Sequence, residues 1–182
     1  KQKFGYEVII VDDGSDDGSV EFVEKFTKDD SNFRLIKNSH LGKAGAVTSG
    51  MLKAKGEYAL FTDMDQATPI EELTKLLPFA NKYDIVIGSR NSHRKGAPFT
   101  RLLMAKGMMV LRSVIVGVKG ISDTQCGFKL FRHDVAKAIA EKQQLDGFCF
   151  DAEQLFLAKK RGNKIKEVPI SWYNDERSKI SI

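Results

Sequence analysis

Asp63-Met64-Asp65 sets two carboxylates one residue apart, just after the apolar run Tyr58 to Thr62 and ahead of Thr68-Pro69-Ile70-Glu71. Such a pair offers hard oxygen ligands to Mg2+ or Mn2+, ions that complete their shell with substrate phosphate and water. A cation held there would neutralise charge developing on a diphosphate leaving group. Aspartate also favours plain solvated turns, so the spacing alone leaves both uses open. A second acidic segment, Asp12-Asp13-Gly14-Ser15-Asp16-Asp17-Gly18-Ser19, follows the apolar run Tyr6 to Val11. Its first two carboxylates can accept hydrogen bonds from a base or ribose. The alternative is a polar loop that caps the next helix through Ser19.

Other chemistries find little support. There is no G-x-x-x-x-G-K or G-x-G-x-x-G loop, which argues against P-loop and hydride-transfer enzymes. No G-x-S-x-G elbow is present either. His40, His93 and His133 stand singly, and Cys126 and Cys149 form no metal-type pair. The two cysteines read as half-buried thiols of a reducing compartment.

These acidic segments need elements to hold them. Tyr6 to Val11, Phe33 to Lys37, Tyr58 to Thr62 and Ile85 to Ser89 read as strands. Ser19 to Lys28 and Lys43 to Lys55 read as the helices between them, and a further helix starts at Thr68 as cap, with Pro69 first and Glu71 closing a capping box. Alternation of this kind predicts a mostly parallel central sheet flanked by helices. Ligands of such sheets bind beyond the carboxyl ends of the strands, where Asp12 to Ser15, Asp63 to Asp65 and Ser89-Arg90 all fall. The second half is less regular. Phe99 to Val118 reads as a helix or helix pair, Gly127 to Phe131 and Lys164 to Trp172 as strands, and His133 to Glu141 and Asp151 to Lys160 as helices.

The bulk properties set outer limits. With 182 residues and 42% hydrophobic content, the chain suits one globular domain with a real core. Its 29 Lys plus Arg against 24 Asp plus Glu give a net charge of +5, spread along the chain. The basic residues form no single stripe and the aromatics are not interleaved with them, so no nucleic-acid partner is expected. Lys1 to Gly5 reads as the lead-in to a strand rather than a signal peptide. The most apolar stretch, Leu102 to Val118, is broken by Lys106 and Arg112 and is too short for a membrane span.

Taken in order, Val11 to Ser19, Gly42-Lys43-Ala44-Gly45-Ala46-Val47 and the aspartate pair before Ala67-Thr68-Pro69 resemble the family 2 glycosyltransferases, whose catalytic domain has the GT-A fold. Ile87-Gly88-Ser89-Arg90, Asp123 to Lys129, Phe150-Asp151-Ala152-Glu153 and Glu167 to Trp172 are similar to the polyprenyl-phosphate branch of that family. Dolichyl-phosphate glucose synthases are the nearest likeness within the branch, with mannose synthases a step away. The resemblance runs from Tyr6 nearly to the end. It implies one catalytic domain over 1–182, apparently lacking the first family strand, which ends in a V-I-P-x-Y-N-E-like motif, and any C-terminal membrane helices. Mannose synthases place a glutamine two residues after the second aspartate; Ala67 stands there instead, which favours UDP-glucose over GDP-mannose as donor.

The resemblance also implies roles. Asp12, Asp13 and Ser15 are expected to line the nucleoside pocket, with Lys43 near the base or diphosphate. Asp63 is expected to face ribose and metal, and Asp65 to be the main ligand of Mg2+ or Mn2+. Arg90 and Lys129 are expected to meet the diphosphate or the acceptor phosphate, and Asp123 and Asp151 to lie near sugar and acceptor. The implied reaction is inverting transfer of a hexose, glucose favoured, to a polyprenyl or dolichyl phosphate. An acceptor that is already anionic needs little deprotonation, so positioning and charge neutralisation would carry the rate. Two alternatives stay open: transfer to a glycan or polysaccharide hydroxyl with Asp151 as base, and a non-catalytic α/β nucleotide-binding or regulatory domain. Phe99 to Val118 carries Leu, Met and Val among Arg101, Lys106 and Arg112, and could lie in a membrane interface or serve as a core helix. The expected location is cytoplasmic, peripheral on or anchored to a membrane face. Arg177 and Lys179 could close over phosphate or form a basic tail.

Overall fold

The computed structural model describes residues 5–90, 120–147 and 149–173. Phe99 to Val118, His93, Arg177 and Lys179 lie outside the described residues, so the expectations placed on them are not met or refused there.

The first half alternates as the pattern predicts: β1 (Val8–Asp12), α1 (Ser19–Asp29), β2 (Phe33–Lys37), α2 (Gly42–Lys53), β3 (Tyr58–Thr62), α3 (Leu73–Ala80) and β4 (Ile85–Ser89). The second half adds β5 (Phe128–Arg132), α4 (His133–Ala140), α5 (Phe150–Lys160) and β6 (Ile165–Pro169). β1 pairs with β2 in parallel, and a second sheet has the order β3-β5-β4-β6. The α/β class with flanking helices holds, but the sheet is mixed rather than mostly parallel. β5 runs antiparallel to both β3 and β4, while β4 and β6 are parallel. The reason is local. The chain leaves β4 at Arg90 and is back beside Arg90 by Asp123, whose carboxylate accepts from the Arg90 N–H at 3.0 Å. A strand that starts from the edge where β4 ended must run the other way.

Two starts differ from the sequence reading. Gly18, at φ 85°, occupies the cap position of α1, and Ser19 N–H donates to Asp17 at 3.0 Å instead of Ser19 acting as the cap. At the α3 end, Ile70–Glu72 forms a 3-10 turn with Pro69 at its cap and no side-chain cap bond. Thr68 is drawn inward and buried, and it is Glu72, not Glu71, that finds an amide, the Ser171 N–H at 2.9 Å.

Strand alternation sorts the core into two layers. Ile85 and Ile87 of β4 and Phe131 of β5 pack with Met51, Val135, Ile139 and Leu155 from α2, α4 and α5. Val86, Phe128 and Leu130 face the other way, onto Leu76 of α3 with Val168 and Ile170. Gly88 lets β6 close in: a Cβ there would stand 2.4 Å from Ile170 Cδ1. Lys129 is a charged residue within this core. It lies on the Phe131 side of β5, in register between Phe61 and Ile87, and is fully buried.

Candidate active site

Because β3, β4 and β6 point the same way, their carboxyl ends and the amino end of β5 meet at one edge. An open cleft of about 500 Å³ lies there, lined by Lys43, Asp63, Asp65, Gln125, Arg90, Phe150, Asp151 and Trp172. Thr62, Cys126 and Gly127 line a smaller recess beside the same aspartates. Five of the residues singled out in the sequence are thereby brought together from parts of the chain as far apart as α2 and α5.

Asp63 leaves β3 with its N–H on Gly127 O at 3.2 Å, and its carboxylate accepts an ion pair from Lys43 at 2.7 Å. Gly127 is required by this approach, since a Cβ there would sit 2.0 Å from Asp63 Oδ2. Gly127→Ala is therefore expected to displace the Asp63 carboxylate and weaken cation-dependent nucleotide-diphosphate binding at least tenfold, measured by titration, with the chain still folded. Asp65 turns back to accept from Ala67 N–H at 3.0 Å, across a bend in which Gln66 adopts φ 51°. Lys43, the second residue of α2, is aimed from the first turn of that helix.

Asp12, Asp13 and Ser15 do not line the cleft among the described residues. Asp13 instead holds the start of α2, accepting from Leu41 N–H at 2.7 Å and Gly42 N–H at 2.6 Å, where a carboxylate also suits the helix dipole. It thereby fixes the turn that carries Lys43. Asp12 closes its own loop on Gly14 and Ser15 amides. Hydrogen bonding by Ser15 and by the Gly14 amide holds its carboxyl below the ordinary value.

Arg90 is gripped by Asp123 through three bonds: its N–H at 3.0 Å, Nε at 2.8 Å and Nη2 at 2.7 Å. Burial would raise the Asp123 carboxyl, but the hydrogen bonds and charge of Arg90 outweigh it and hold it below the usual carboxylate range. The guanidinium lies 6.0 Å from the Trp172 ring centre, within cation–π range. Trp172 itself is fixed on both sides, by Ser171 N–H on Glu72 and by Tyr173 N–H on Ala67 O at 2.8 Å.

Lys129 does not reach the cleft. Its ammonium is buried against Asp151, donates to Cys126 O at 2.8 Å and lies 5.5 Å from the Phe61 ring centre. Asp151, at the start of α5, carries the pair to the cleft wall. Cys126 is fully buried and Cys149 exposed, rather than both half-buried. Burial and the nearby Asp123 charge push the Cys126 thiol up to about 11, so it is no nucleophile.

Among the described residues no group of three or more His, Cys, Asp or Glu converges as a self-sufficient metal site. Asp63 and Asp65 on one cleft wall are a donor set suited to Mg2+ or Mn2+ that takes its remaining ligands from phosphate and water. Trp172, Glu72 and Glu167 carried no role in the sequence reading. Pro169 was the available signal for Trp172: proline has no N–H to give a ladder and stands here as the last residue of the edge strand β6, so Trp172 falls just past the strand end, at the ligand edge.

Known proteins resemble this chain in sequence and in fold. The profile of Glycosyl transferase family 2 matches residues 1–140. Dolichyl-phosphate beta-glucosyltransferase ALG5D of Trichomonas vaginalis is 38% identical over 191 residues, which cover 98% of this chain and 58% of that protein. The dolichyl-phosphate beta-glucosyltransferases of Saccharomyces cerevisiae and Homo sapiens are each 34% identical, over 100% and 97% of this chain and 62% and 59% of their own lengths. This chain thus spans about three fifths of the curated relatives it matches. Among solved structures, glucosyl-3-phosphoglycerate synthase of M. tuberculosis superposes with a TM-score of 0.64 at 16% identity, covering 93% of this chain and 62% of that one. The same synthase in complex with Mn2+, UDP-glucose and phosphoglyceric acid gives 0.64 at 14% identity, covering 92% and 60%. Those likenesses establish the GT-A fold, and the sequence match over most of the chain establishes the lineage: this chain belongs to glycosyl transferase family 2.

Proposed function

We propose that the chain is a single inverting glucosyltransferase domain that moves glucose from UDP-glucose to a dolichyl or related polyprenyl phosphate. One observation carries the reading: a carboxylate pair, Asp63 and Asp65, shares a cleft with the cations Lys43 and Arg90 at the ligand edge of a GT-A sheet. That combination suits a diphosphate bridged to a divalent cation. The names of the relatives supply glucose and dolichyl phosphate, and the Mn2+ and UDP-glucose complex of a fold neighbour supports the donor.

In this reading an oxygen of the acceptor phosphate attacks the anomeric carbon opposite the diphosphate. The new C–O bond forms as the bond to the diphosphate breaks, its electron pair leaves with UDP, and the configuration inverts. The acceptor is anionic near neutral pH and brings its own nucleophilic oxygen. Arg90 and Lys43 offset phosphate charge, and Arg90 suits paired phosphate oxygens. Mg2+ or Mn2+ held by Asp63 and Asp65 would supply further charge neutralisation at the diphosphate. Asp151 lines the acceptor side with one oxygen committed to Lys129.

A lipid phosphate sits at a membrane surface, so the domain works peripherally on, or anchored to, the cytoplasmic face. No helix among the described residues is long and apolar enough to cross a membrane. The test is product analysis with UDP-glucose and either dolichyl phosphate or a glycan acceptor. A β-linked glucosyl lipid phosphate is expected; glucose appearing on the glycan hydroxyl instead would reject the acceptor assignment.

A further inference from the structure

We infer that Glu167 is a positioning residue that sets Arg90 for phosphate through Asp123, a role that rests on the proposed reading of Arg90 as a cation of the cleft. Glu167 lies on β6 opposite Ile87 of β4, two residues before the strand ends that deliver Ser89 and Arg90. Its carboxylate accepts from the Ser122 amide at 3.0 Å, the Ser122 hydroxyl at 2.7 Å and the Asp123 amide at 2.8 Å. Two successive amides and a hydroxyl gathered on one carboxylate fix the backbone of the Ser122-Asp123 turn, as charged acceptors make the stronger hydrogen bonds.

The turn lies outside the strands and helices, several residues ahead of β5. Yet Asp123 must hold its two oxygens on Nε, Nη2 and the N–H of Arg90 together. A rotation of the turn would break that fork, because bidentate geometry tolerates little misplacement. The order is therefore strand β6, Glu167, the Asp123 turn, Arg90, cleft. Glu167 itself does not line the cleft, so it reaches a bound phosphate only through this chain of contacts.

Glu167→Gln is nearly isosteric but turns one acceptor oxygen into a donor facing amides that also donate. The variant should keep its fold and lose the grip. In glucosyl transfer from UDP-glucose, kcat/KM should fall about 10- to 50-fold. The same substitution made in an Arg90→Lys background should add almost nothing, since Glu167 would have no fork left to set. Equal losses in both backgrounds would show that Glu167 merely supports the fold, and would overturn the proposal.

A second readout is independent of any transfer activity. In 15N-labelled protein the Arg90 Nε–H, held by Asp123, should exchange slowly in the wild type and at least tenfold faster in Glu167→Gln. Unchanged exchange overturns the inference even where transfer is observed. Faster exchange in a protein that transfers no glucose upholds the positioning role and rejects the glucosyltransferase reading. Should Glu167→Gln fail to fold, Ser122→Ala removes one donor to Glu167 and should shift the same exchange rate in the same direction; no shift in that variant overturns the role.

Discussion

Asp65→Ala is expected to lower kcat/KM for glucosyl transfer by about 10²- to 10³-fold, the usual cost of removing one group that offsets transition-state charge. Its effect on the fold should be small by comparison. The Asp65 carboxylate is exposed and, among the described residues, makes one bond, to the Ala67 amide. Losing such a bond costs about 1 kcal/mol, which for a chain of this length is about 2–4 °C in Tm. The separation between the two readouts is the point of the experiment. UDP-glucose binding in Mn2+ should drop to the level that wild type shows with a chelator. A variant that melts normally and binds donor as wild type does in Mn2+ would remove Asp65 from the cation site.

Lys129→Met should do the reverse and damage the fold first. Lys129 stands at the centre of the second sheet, between Phe61 and Ile87, with its ammonium between Asp151 and the Cys126 carbonyl. Methionine fills similar space but leaves the buried Asp151 carboxylate without its partner, and breaking a buried pair in this way costs about 3–5 kcal/mol. Thermal unfolding should therefore move down by roughly 6–20 °C. Lys129→Met with Asp151→Leu removes both charges, and such exchanges are often neutral or stabilising. The double variant should regain most of the lost stability in the same thermal measurement, since no unpaired charge is left buried. A Lys129→Met protein that melts within about 2 °C of wild type would mean that water or a rearranged neighbour replaces the ammonium.

The elements of the first half were legible because each strand is a short apolar run stopped by polar residues. Phe33 to Lys37, Tyr58 to Thr62 and Ile85 to Ser89 form with the ends read from sequence. The direction of β5 was not legible. Nothing in Phe128 to Arg132 records that the preceding turn returns to the edge where β4 ends. The site was legible as a set of strand-end motifs, and Lys43, Asp63, Asp65, Arg90 and Asp151 do meet in one cleft. Their division of labour was hidden. Asp13 is spent on the α2 amides, Asp123 on Arg90 and Lys129 on Asp151, and each of those pairings joins residues that lie 20 or more positions apart. Burial separates them: Lys129 looks like any surface lysine until β5 is placed between β3 and β4.

Titration of UDP-glucose into the protein by calorimetry, with Mn2+ and again with a chelator, tests the central claim most directly. The cleft of two aspartates and two cations predicts saturable binding with Mn2+, loss of most of it with the chelator, and weaker binding of GDP-mannose throughout. Binding of UDP-glucose that is the same with and without the cation, or a preference for GDP-mannose, would contradict the account.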